Sequence, residues 1–108
     1  MVKLDLEKIM SKVLEISGVK RRELVAKDRH RYIVEARALF IVIAVEHGYN
    51  PVQISAALDH AIDRSTLYHY IKSYTNLKDN GFIEKLNLCR HELNFNYEEN
   101  YYLSMGTL

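Results

Sequence analysis

The chain has 108 residues, 15 Lys+Arg against 14 Asp+Glu, five histidines, one cysteine and a formal charge of +1. That length fits one small domain and excludes a barrel or a full dinucleotide-binding enzyme, which need roughly 200 residues or more. Apolar residues make up 48% of the chain, which argues against disorder, and the lone Cys89 leaves no partner for an intramolecular disulfide.

The first segment places Leu4, Ile9, Val13 and Ile16 at helical spacing, and Gly18 follows as a breaker. Charged residues alternate with these apolar ones, so the start of the chain does not read as a signal peptide. Residues 21–26 fit one short turn of helix. The longest periodic segment, 28–46, carries Ile33, Ala36, Phe40, Ile43 and Ala44 on one face. Leu39, Ile41, Val42 and Val45 widen that face, so a helix here would be central and buried. The β-branched run Ile41-Val42-Ile43 also fits a strand, and the pattern alone leaves both readings open. Its longest apolar run, Ala38 to Val45, is far short of the about 20 residues of a membrane span. A soluble, cytoplasmic domain is expected.

Asn50-Pro51 supplies an N-cap and a first-turn proline for a short helix through Ile54, Ala57 and Leu58. Asp63 is placed to cap a second helix through Tyr74. There Leu67, Tyr70, Ile71 and Tyr74 form an apolar stripe, and Arg64, Ser65, Tyr68, His69 and Lys72 form the opposite face. Phe82, Leu86 and Cys89 or Leu93 predict a last helix. Residues 94–108 have no clear period and no Lys or Arg, and they read as an acidic, tyrosine-rich tail suited to a protein partner. The expectation is an all-α bundle of five to six helices spanning residues 1–93, followed by the tail at 94–108.

Charge is unevenly spread. Residues 19–37 hold seven basic side chains against three acidic ones, a local excess of four. Two short helices, the second with a polar and basic outer face, describe a helix-turn-helix. In such a unit the first helix braces the second, whose side chains reach base edges in the major groove. Arg64 offers a fork suited to guanine, and Ser65 and Thr66 are short enough for close approach to bases and phosphates.

Competing chemistry is thin. Asp63, Ser65 and His69 share one short segment, which gives an acid no position behind the base and no shielded pocket. The histidines lack close metal-ligand spacing, and one cysteine cannot build a thiolate site. A Gly-x-x-x-x-Gly-Lys-Ser/Thr phosphate loop is absent, so neither a bound nucleotide nor any other cofactor is expected. The residues predict a binding protein and not an enzyme.

Three stretches carry a family resemblance: Leu24-Val25-Ala26-Lys27-Asp28-Arg29-His30-Arg31 with Ile33 to Arg37, then Ile54 with Ala57-Leu58, then Asp63-Arg64-Ser65-Thr66-Leu67-Tyr68-His69. Together they resemble the C-terminal DNA-binding domain of the bacterial replication initiator DnaA. That domain is all-helical, with a helix-turn-helix of the Trp-repressor type. The resemblance implies that Lys27, Arg29 and Arg31 form a basic loop in the minor groove. It also implies that Arg37 contacts DNA from the long helix, and that Arg64, Ser65, Thr66 and His69 face the duplex; Lys72 joins them as part of the basic outer face of that helix. The chain departs from the signature at Ile62, where the family has Arg, and at Arg64, where it has His. With no phosphate loop, the expectation is a stand-alone DnaA-like reader of double-stranded DNA, serving replication, a mobile element or their regulation. A second class of function keeps the helical scaffold as a protein-interaction module without DNA binding.

Overall fold

A computed structural model describes residues 4–26, 30–75 and 78–105. Among the described residues there are six helices and no strand: α1 (Leu6–Ser17), α2 (Arg21–Leu24), α3 (Arg31–Glu46), α4 (Pro51–Ala57), α5 (Arg64–Thr75) and α6 (Asn80–Met105). The chain is an all-α bundle, and none of these helices is long and apolar enough to cross a membrane.

Local chemistry sets most boundaries. The Asp5 carboxylate accepts the Glu7 N–H (3.0 Å) at the start of α1, and Gly18 ends it at φ 73°, a conformation that costs glycine little. At the start of α4, Asn50 Oδ1 accepts the Gln53 N–H while Gln53 Oε1 accepts the Asn50 N–H, both at 2.9 Å. This reciprocal cap, with Pro51 in the first turn, satisfies donors that the helix cannot satisfy itself. Asp63 and Asp79 cap α5 and α6 from one side. Their carboxylates accept the N–H groups of Thr66 (2.8 Å) and Phe82 (2.9 Å).

α3 is the axis of the bundle, and the other five helices all pack against it. From Ala36 to Ala44 every residue is buried, so this helix is covered on all sides. Ile41, Val42 and Ile43 are therefore helical. Their β-branching lowers helix propensity only slightly, and burial on every side outweighs it. Val45 lies beyond the covered stretch and is exposed.

Phe82, Leu86, Cys89 and Leu93 are buried along α6, which packs on α1 and α3. Cys89 behaves as a small hydrophobe, because burial pushes its thiol pKa up to about 11. The backbone of α6 continues as helix to Met105, so most of the segment expected to be an aperiodic tail is helical here. The physical reason is the absence of any glycine or proline from Phe82 to Met105.

α4 and α5 are joined through residues 58–63. The Asp59 N–H donates to Ala56 O (3.1 Å) and the His60 N–H to Ser55 O (2.9 Å), the paired bonds that close a helix C-terminus. Asp59 (φ 53°) and His60 (φ 58°) both occupy the left-handed region. Glycine is the residue best suited to the first of these positions. Asp59→Gly is expected to stabilise the fold by about 0.5 kcal/mol, since relief of left-handed strain outweighs added freedom in the unfolded chain. Chemical denaturation measures this, and a loss of stability would show that Asp59 is not strained.

Candidate nucleic-acid interface

α5 separates cleanly into two faces. Leu67 and Tyr70 are buried, with Ile71 and Tyr74 partly buried against the core. The Tyr70 and Tyr74 rings stack at 5.8 Å, and Tyr74 meets Phe82 of α6 at 5.2 Å. Burial raises the Tyr74 phenol above its ordinary pKa. Arg64, Ser65, Tyr68, His69 and Lys72 are all exposed. At 3.6 residues per turn these five fall within an arc of about 140°. Lys72 stands near the middle of that arc, and Tyr68, 58% exposed, lies between it and Arg64. Thr66 is also exposed, about 60° beyond the His69 end of the arc, with its backbone N–H held by Asp63.

Asp63 is held below the usual carboxylate range, first by the Thr66 backbone N–H and then by the Thr66 side chain. A depressed carboxylate stabilises the fold above its unfolded pKa, about 3.9, and that contribution disappears as pH falls through the lower folded value. Thermal stability is expected to fall below about pH 4, with a shallower fall in Asp63→Ala. Melting curves from pH 2 to 6 check this, and an unchanged slope in the variant would contradict it.

Ala26, after α2, and Arg31, at the start of α3, approach α5. A groove of about 740 Å³ lies between α3 and α5, with Ala26 and Arg31 on one wall and Thr66, His69 and Ser73 on the other. Arg31 opens α3, and its side chain is 88% exposed, 4.0 Å from the Asp79 carboxylate. Glu35 and Asp79 also line this groove, so its interior carries charge of both signs. Lys27 and Arg29 lie outside the described residues. Lys20, just before α2, and Arg22, on it, are exposed, whereas Arg21 is held by Glu7 of α1 at 2.6 Å.

Arg37 is a correction. It is 4% exposed and does not reach a surface where DNA could lie. Its guanidinium donates to the backbone carbonyls of Leu24 (2.7 Å), Glu23 (3.3 Å) and Ala26. These carbonyls cluster at the end of α2, where Glu23 O also accepts the Ala26 N–H (3.3 Å), and a planar cation with five N–H groups reaches several at once. A signal for this was present. Arg37 sits four residues after Ile33 and three before Phe40, on the apolar stripe itself.

Two further residues shape the interface without having stood out in the sequence. Glu23 accepts the Lys20 N–H (3.0 Å) and the Tyr32 hydroxyl (3.1 Å), fastening α2 to the start of α3. Ser55, buried on α4, donates its hydroxyl to Ile62 O at 2.9 Å. Ile62 is itself buried. No family model, curated protein or solved structure matches the chain.

Proposed function

We propose that this protein binds double-stranded DNA sequence-selectively, with α5 in the major groove and the α2–α3 connection on the adjacent backbone. The observation that carries the reading is the outward face of α5. Arg64, Ser65, Tyr68, His69 and Lys72 are all exposed on one side of a helix whose other side is anchored in the core. That pattern suits base-edge readout, with Arg64 as the fork for guanine. Arg31, beside Thr66 and His69 across the groove, extends the surface toward the basic segment. The resemblance to the DnaA C-terminal domain supports the same orientation and suggests a role in replication or its control. Arg31 and Lys72 on this side supply phosphate affinity, which is salt-dependent through counterion release.

Fluorescence anisotropy with a random-sequence duplex of about 20 base pairs tests this. Binding is expected to weaken with salt, with a log–log slope near −0.9 for each phosphate neutralised. Absence of binding at low salt would overturn the reading and favour the protein-interaction module.

A further inference from the structure

We propose that Ser55 is a positioning residue that sets the orientation of α5 on DNA; this rests on the DNA-binding reading of α5 given above. Ser55 is 7% exposed and cannot touch a duplex. What it touches is the turn. Its hydroxyl donates to Ile62 O at 2.9 Å, and its own carbonyl accepts the N–H groups of Leu58 (3.1 Å) and His60 (2.9 Å). One residue therefore holds both ends of the connection, the close of α4 and the residue just before the Asp63 cap.

The direction of this hydroxyl is unusual for a helical serine. Serine in a helix commonly bonds back to the carbonyl four residues earlier, as Ser17 does with Val13 O at 2.7 Å. Ser55 instead reaches forward seven residues, across the turn. The segment it spans contains two residues in the left-handed region, Asp59 and His60, a backbone form that neither side chain favours on its own. The bond is buried, so water cannot replace it readily, and loss of the donor leaves the Ile62 carbonyl short of a partner. Ile62 O lies one residue before Asp63, whose backbone carbonyl and carboxylate take the N–H groups of Leu67 (2.9 Å) and Thr66 (2.8 Å). A displaced Ile62 is thus passed directly to Arg64, Ser65 and Thr66. Base-edge hydrogen bonds tolerate little misplacement, while phosphate attraction is far less directional. Ser55 should therefore govern discrimination more than overall attraction.

The test compares affinity for a duplex selected from a random pool by the wild-type protein with affinity for the pool itself. Ser55→Ala is expected to lower that ratio about tenfold while leaving pool binding and its salt slope unchanged. Ser55→Thr keeps the hydroxyl and should restore most of the ratio. Ile9→Val, a truncation in the α1 core, should lower melting temperature without moving the ratio. Amide hydrogen exchange provides a second readout, with Thr66 and Leu67 expected to lose protection in Ser55→Ala while the α1 amides keep theirs. A ratio unchanged in Ser55→Ala, or lowered equally in Ile9→Val, would overturn the proposal. If wild-type protein failed to discriminate between duplexes, the DNA-binding reading would fail. The exchange data would then decide the positioning role alone, with unchanged protection at Thr66 and Leu67 overturning it.

Discussion

Arg37→Met is expected to destabilise the fold by about 3 kcal/mol, lowering the melting temperature by more than about 10 °C. The substitution keeps much of the side-chain volume and removes every N–H donor. The carbonyls of Glu23, Leu24 and Ala26 then lose the guanidinium that joins them to α3. Each charged hydrogen bond of this kind contributes about 1.5–3 kcal/mol, and local rearrangement that re-exposes the carbonyls to water offsets part of the total. Arg37→Lys should recover only a fraction, because one ammonium cannot match a planar fork reaching three acceptors. Thermal denaturation followed by circular dichroism measures both variants. A loss below about 1 kcal/mol in Arg37→Met would show that the carbonyls find other partners and that the guanidinium is not what joins α2 to α3.

Arg64→Ala should leave the fold intact and reduce binding to a selected duplex by about 1–3 kcal/mol, roughly 5- to 150-fold. Arg64 opens α5 and is exposed, so its removal leaves no cavity and no buried group unpaired. Binding to random duplex should fall much less, since only one cationic side chain among several is lost. The pairing of these two measurements separates roles. Equal losses on both duplexes would place Arg64 on phosphate, and the guanine fork would be refuted.

These two arginines show what can be read from the sequence and what cannot. Helix boundaries set by short-range chemistry were legible: Gly18, the Asn50-Pro51 start and the Asp63 cap all lie where local turn and capping rules put them. The two faces of α5 were legible for the same reason, because a 3.6-residue period sorts them without tertiary information. Arg37 was misplaced because the family resemblance assigned it to DNA while the period put it on the buried stripe, and the period was the better guide. Its carbonyl partners come from α2, which no spacing rule for α3 reveals. Ser55 was invisible for a related reason: its partner Ile62 lies across a turn, and a serine beside Ile54 reads as an ordinary helical residue. The helical or extended state of Ile41-Val42-Ile43 was settled only by burial on every side. The continuation of α6 to Met105 shows that weak amphipathic periodicity is a poor stop signal when no glycine or proline interrupts the chain.

The central claim is that the exposed face of α5, with Arg31 beside it, is the surface that meets DNA. Amide chemical-shift mapping of the full chain during titration with a selected 20-base-pair duplex tests this most directly. The largest perturbations are expected between Arg64 and Lys72, with a second group at His30 and Arg31 and little change along α1. Perturbations concentrated on α1 and α6, with α5 unmoved, would contradict the account and place the interaction on another face of the bundle.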